Sequence, residues 1–114
     1  MDLNELAHGL KALSDPTRLK IVALLKIRPL CICELVPLFG ISQPAISRHM
    51  HRLRDAGLVT ETRRGQWVFF RLNPERLEAF RGALEQLPNV QNEIGRMESK
   101  ALVVPCIPTE VVPR

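Results

Sequence analysis

Phe39-Gly40-Ile41-Ser42-Gln43-Pro44-Ala45-Ile46-Ser47-Arg48-His49-Met50 carries a stop and a start for helix within three residues. The apolar stretch Ile32 to Phe39 reads as a short helix closed by Gly40, because glycine takes the left-handed conformation that ends a helix without steric cost. Ser42 then caps a second helix, its hydroxyl available to orphan backbone N–H groups, and that helix runs to about Ala56 and stops at Gly57. Two helices joined by a glycine-containing turn form a helix-turn-helix candidate. In the second of the pair Ile46, Met50 and Leu53 share one side. Arg48, His51 and Arg52 fall on the opposite side, with Gln43 and Ser47 near the N-terminal end.

Two helices precede this unit. Leu3, Leu6, Leu10 and Leu13 recur at helical spacing and predict an amphipathic helix ending near Ser14. Ser14-Asp15-Pro16 supplies an N-cap and a proline tolerated at the first helical position, and Leu19, Val22 and Leu25 carry a buried stripe towards Ile27 before Arg28-Pro29 ends it. After the unit the period changes to two. Leu58 to Thr62 and Gln66 to Leu72 read as strands, with Arg63-Arg64-Gly65 as the turn of a basic-tipped hairpin. Val68, Phe70 and Leu72 point one way and Trp67, Phe69 and Arg71 the other, with Trp67 expected to anchor the hairpin. Asn73-Pro74 opens a further helix whose stripe of Leu77, Phe80, Leu84 and Leu87 exceeds what three helices and a hairpin need, so a partner chain is expected to use it. Helix resumes after Pro88 as far as Lys100, and the last fourteen residues, with Pro105, Pro108 and Pro113, read as an extended tail.

The expected division is thus one domain over residues 1–100 and a tail over 101–114, mainly α with a small β-hairpin. A chain of 114 residues, 46% hydrophobic and 25% charged, is the size of one such domain and buries about two-thirds of its unfolded surface without staples. No run is long and apolar enough for a membrane span, and the acidic start Met1-Asp2-Leu3-Asn4-Glu5 is unlike a signal peptide, so a cytoplasmic location is expected. An odd count of three cysteines then argues for reduced thiols. Charge is concentrated. Between Ser42 and Arg71, Arg48, Arg52, Arg54, Arg63, Arg64 and Arg71 face only Asp55 and Glu61, which accounts for the whole net charge of +4. Such a cluster is the footprint of a polyanion-binding surface. Nothing in the sequence suggests an enzyme: it shows no nucleophile with its base and orienting carboxylate, no phosphate-cradling glycine loop and no catalytic carboxylate pair.

Three local stretches, Leu10-Lys11-Ala12-Leu13-Ser14-Asp15-Pro16-Thr17-Arg18-Leu19, Ser42 to Met50, and Arg64-Gly65-Gln66-Trp67-Val68-Phe69-Phe70-Arg71-Leu72, together with the element order, resemble the arsenic and zinc sensor repressors (ArsR/SmtB family) over about residues 3 to 85. The resemblance implies a dimeric winged helix-turn-helix. It also implies a role for Leu30-Cys31-Ile32-Cys33-Glu34-Leu35, which resembles the arsenite-binding segment of the arsenic-responsive group, except that Val36 stands where that group usually has a third cysteine. Trivalent arsenic, As(III), is soft and prefers three thiolates, so Cys106, the one remaining cysteine, is the candidate third ligand. Zinc sensors of this family use histidine and carboxylate pairs on the last long helix, and no histidine follows His51 here.

The spacing of Cys31 and Cys33 has its own geometric content. Residues i and i+2 lie about 200° apart around a helix but share a side in extended chain, about 6.6 Å apart between Cα atoms, so joint ligation is expected to favour an unwound helix start. The reading is a homodimeric repressor bound to operator double-stranded DNA and released when As(III), or chemically similar Sb(III), occupies Cys31, Cys33 and Cys106, with no organic cofactor and no membrane partner. DNA contacts are assigned to Gln43, Ser47, Arg48, His51, Arg52, Arg63 and Arg64, and the dimer interface to Leu3, Leu6, Leu10, Leu77, Phe80 and Leu84. Arg48 and Gln43 suit guanine and adenine edges, whereas Arg63 and Arg64 suit phosphates. Two alternatives stand beside it: a thiol redox or persulfide sensor on the same scaffold, and a winged-helix module whose basic wing binds an acidic protein.

Overall fold

The computed structural model describes residues 1–99. Helix α1 spans Leu3–Leu13 and α2 Pro16–Leu25, followed by strand β1 (Leu30–Cys31), α3 (Ile32–Phe39), α4 (Gln43–Asp55), β2 (Val59–Arg64), β3 (Trp67–Leu72), α5 (Pro74–Glu85) and α6 (Gln91–Ser99). Each early helix starts on a side-chain cap. The Asp2 carboxylate accepts from the Glu5 N–H at 2.8 Å, Asp15 from Arg18 N–H at 3.0 Å, and Ser42 Oγ from Ala45 N–H at 3.3 Å. Gly40 ends α3 in the left-handed region at φ 67°, and Gly57 turns the chain out of α4 at φ 76°. A Cβ at either position would strain the backbone.

Helices α3 and α4 form the expected helix-turn-helix, and the antiparallel pair β2–β3 forms the wing, registered from Val59↔Leu72 to Arg64↔Trp67. Two details differ from the sequence reading. Arg63 and Arg64 lie inside β2 rather than in the turn, which is made by Gly65 (φ 60°) and Gln66. The sheet also has a third strand: β1 pairs with the far edge of β3, Leu30 opposite Phe70 and Cys31 opposite Phe69. The root of the wing is therefore fastened to the residue that precedes α3.

The core is built from Ile21, Val22 and Leu25 of α2, Leu35 of α3, Ile46, Met50 and Leu53 of α4, Leu58, and Phe70 and Leu72 of the wing. Within α2 the buried stripe is shifted from the one expected: Leu19 is exposed and Ile21 takes the inside position. Trp67 is no anchor either. It shares the outward face of β3 with Arg71 and is 48% exposed, while Phe70 and Leu72 face the helices.

Helix α5 packs on α1 through Phe80, whose ring lies so close to Gly9 that a methyl group there would collide with it. Arg76 of α5 closes the same layer, donating through Nε to the Ala56 carbonyl at 3.1 Å and lying 4.9 Å over the Phe80 ring. Two of the residues expected at a dimer interface are buried within the chain itself. Leu6 and Phe80, at 5% and 2% exposure, belong to the protomer's own core. Leu3, Leu10 and Leu84 remain exposed, Leu77 is half-buried, and α6 buries no residue at all.

Candidate functional site: a basic helix face and a thiol pair

On α4, Arg48, His51 and Arg52 are exposed on the side away from Ile46, Met50 and Leu53, with exposed Gln43 and half-buried Ser47 near the N-terminal end. Residues three and four apart on a helix are surface neighbours, so Arg48, His51 and Arg52 make one patch. Arg63 and Arg64, exposed along β2, are the corresponding cations on the wing. Among the described residues none of these four arginines enters an ion pair. Arg54 does: its guanidinium meets Glu61 of β2 at 3.3 Å, tying the end of α4 to the wing. His51 is engaged on both sides, Nδ1 lying 3.1 Å from Arg54 and Nε2 3.5 Å from Asp55. Of the basic cluster, then, Arg54 is occupied internally.

A polar knot unnoticed in the sequence supports the basic helix from behind. The Arg18 guanidinium donates to the Ala12 carbonyl at 2.5 Å and stands 3.0 Å from Nδ1 of His49, bridging the C-terminus of α1, the N-terminus of α2 and α4. Asp15 lies 3.9 Å from the same imidazole nitrogen. The Arg18 backbone N–H, followed by the nearby charges of Arg18 and His49, holds the Asp15 carboxyl below its ordinary range against an opposing desolvation. The only sequence hint of this knot is a basic residue three positions after the cap aspartate, too common a pattern to single out.

The thiols sit at the start of α3. Cys31 is buried, with extended backbone at φ −87° and ψ 148°, and acts as the helix N-cap: its Sγ accepts the Cys33 N–H at 3.2 Å. Glu34 reaches back to accept the Cys31 N–H at 3.0 Å and is held in turn by Arg28, Nη2 to Oε2 at 2.6 Å. The Arg28 side chain first, then the Cys31 N–H, keep the Glu34 carboxyl below the usual carboxylate range, and Glu34 raises Arg28 correspondingly. Cys31 and Cys33, 5.1 Å apart between Cα atoms, bring their sulfurs close to one another. Cys31 lies outside the helix in extended backbone, so the two sulfurs come together with α3 intact. Cys106 and the tail lie outside the described residues, and among those residues no group of three His, Cys, Asp or Glu side chains is gathered for a metal ion.

The architecture and the sequence agree with one family. Residues 15–61 match the family of bacterial regulatory proteins described as the arsR family, and an arsenical resistance operon repressor of Staphylococcus xylosus is 45% identical over 78 residues, covering 68% of this chain and 75% of that protein. The chain belongs to the arsR family. An arsenic resistance transcriptional regulator of Pseudomonas putida is 47% identical over 66 residues, covering 57% of this chain and 52% of that one. Against the first curated arsenic regulators that it matches, the chain thus spans little more than half of their length. A solved arsR-family transcriptional regulator superposes with TM-score 0.70 at 25% identity, covering 84% of this chain and 95% of that one. These relatives are transcriptional regulators, not enzymes, and no helix among the described residues is long and apolar enough to cross a membrane.

Proposed function

We propose that this arsR-family protein is a transcriptional repressor that binds operator DNA as a homodimer in the cytoplasm and is released by trivalent arsenic, or by antimony of like chemistry, at Cys31 and Cys33. The observation that carries the reading is the convergence of two sulfurs at the N-cap of the helix that supports the basic one. Thiolates are the donors a soft metalloid selects, and a helix N-terminus favours the thiolate form. Two sulfurs leave one coordination position, for which Cys106 is the proposed donor. The similarity to proteins named as arsenical repressors supports the same effector.

In the DNA-binding form Arg48 and Gln43 read base edges in the major groove, Ser47, His51 and Arg52 stand beside them, and Arg63 and Arg64 follow the backbone. The exposed apolar residues of α1 and α5, Leu3, Leu10 and Leu84, continue through Leu87 to Val90, Ile94 and Met97 on and before α6, a surface suited to burial against a second copy. Two-fold symmetry would then place the recognition helices in successive major grooves, on an inverted repeat with half-sites about 10 bp apart or a multiple of it. The test is a duplex selected from a random pool by the reduced protein. Arsenite should release it from the parent and not from a Cys31→Ala/Cys33→Ala double variant. Equal release from both removes these thiols from the mechanism.

The sulfur pair favours a second reading, in which the signal is oxidation of the two thiols to the disulfide. Release by a thiol oxidant with indifference to arsenite selects it.

A further inference from the structure

Trp67 belongs neither to the core nor to the basic face of α4. It is 48% exposed on the outward face of the wing, and the register of the strands sets Arg64 directly across from it. Residues two apart along a strand share a face, about 6.6 Å apart between Cα atoms. Half-buried Phe69 and exposed Arg71 therefore continue the row along β3, with exposed Thr62 and Thr60 of β2 opposite them. A cavity of about 230 Å³ opens on this face, lined by Pro29, Thr62, Arg64, Phe69 and Arg71. No carboxylate of either strand shares the face: Glu61, the single acid of β2 and β3, stands across from Phe70 on the other side and is paired with Arg54. Among the described residues neither Arg64 nor Arg71 enters an ion pair.

We propose that the outward face of the wing binds single-stranded DNA, with bases stacked on Trp67 and Phe69 and phosphates held by Arg64 and Arg71. Two rings at strand spacing, flanked by cations, are what a sheet needs to hold unpaired bases, since every base offers a π-face to a ring while the cations follow the backbone. In a duplex those faces are covered by the neighbouring base pairs and are reached only by unstacking them. The face therefore suits a single strand, whereas the basic side of α4 suits a duplex groove. The hydroxyls of Thr60 and Thr62 add hydrogen-bonding partners that serve any base or phosphate. DNA is the partner because Arg64, at the edge of this face, also follows the operator backbone in the reading above, which brings a melted strand of the same DNA within reach. To that extent the proposal rests on that reading. The single-strand site itself uses neither the thiols nor α4, so each can fail without the other.

Trp67 is the only tryptophan and the chain has no tyrosine, so intrinsic fluorescence reports on this face alone. Titration of the full chain at low salt with a short oligothymidylate is expected to quench that emission, and a random duplex of the same length to quench it far less. Labelled oligothymidylate followed by anisotropy is expected to bind Trp67→Ala about tenfold or more weakly, the scale of one lost stacking ring, and to bind Trp67→Phe nearly as well as the parent. Arg71→Ala is expected to reduce the salt slope for the single strand by about 0.7, the share of one phosphate contact. Trp67→Ala should hold the selected duplex within about twofold of the parent, and Arg48→Ala should hold the single strand as the parent does. Absence of quenching, or a single-strand affinity unchanged in Trp67→Ala, would overturn the proposal. Equal losses on single strand and duplex in Trp67→Ala would make the residue a duplex contact and overturn it as well. Stronger quenching by oligouridylate than by oligothymidylate would overturn the choice of DNA in favour of RNA. If the selected duplex fails to bind while the single strand still quenches Trp67, the operator reading falls and this site stands.

Discussion

Arg18→Ala tests whether the knot behind α4 holds the recognition helix to the first two helices. The guanidinium makes one short bond, 2.5 Å to the Ala12 carbonyl, one bond of 3.0 Å to His49 and a marginal one of 3.5 Å to the Lys11 carbonyl. A hydrogen bond to a charged donor contributes roughly 1.5–3 kcal/mol when shielded, and a neutral one nearer 1 kcal/mol. Arg18 is only half-buried and the third contact is too long to count, so truncation is expected to cost about 2–3 kcal/mol in all. For a domain of this size that lowers Tm by about 10–20 °C. Urea denaturation followed by circular dichroism measures it, with the slope unchanged if the native state keeps its compactness. Arg18→Lys, whose single ammonium cannot span the Ala12 carbonyl and His49 in the same way, should recover less than half of the loss. A loss below about 0.5 kcal/mol for the alanine variant, the scale of an ordinary surface change, would refute the idea that this residue joins α1, α2 and α4.

Gly9→Ala places a methyl group against the Phe80 ring and should destabilise by about 1–3 kcal/mol, the cost of overpacking; a neutral result in the same denaturation assay would return Phe80 to the surface. Arg48→Ala should lower affinity for the selected duplex by about 1–3 kcal/mol with little effect on random DNA, whereas Arg64→Ala should weaken both alike and reduce the salt slope by about one. Fluorescence anisotropy at several salt concentrations separates the two, and equal losses on both duplexes for Arg48→Ala would contradict its base-reading role. Because the folded Asp15 carboxyl lies below the unfolded value of about 3.9, its contribution is present above that value and lost as the pH falls through the folded one. Asp15→Asn, which retains a cap but does not titrate, should therefore give a shallower fall of Tm as the pH drops below about 4, and parallel curves would exclude this carboxylate from acid unfolding.

What the sequence made legible was local. Gly40, Ser42 and Gly57 announce the ends of α3 and α4 because helix termini are settled by the few residues at the boundary, and the period-two run from Gln66 to Leu72 announces a strand for the same reason. What it hid depends on partners distant in the chain. A two-residue strand such as β1 has no pattern of its own and exists only because β3 offers it an edge. Leu19 and Ile21 both fit a helical stripe, and tertiary contact decides which faces in. Phe80 reads as surplus until Gly9 is seen to make room for it. At the thiols the residue types were legible and the conformation was not, since a cysteine serving as N-cap defeats the usual cap signals.

The central claim is that Cys31 and Cys33 together hold trivalent arsenic. Titration of the reduced protein with arsenite, following sulfur-to-arsenic ultraviolet absorption and counting thiols protected from alkylation, tests it most directly, with Cys106→Ser measured alongside. The account predicts one arsenic per chain, with three thiols protected in the parent and two in the variant. No absorption change and no protection of Cys31 and Cys33 at micromolar arsenite would contradict it.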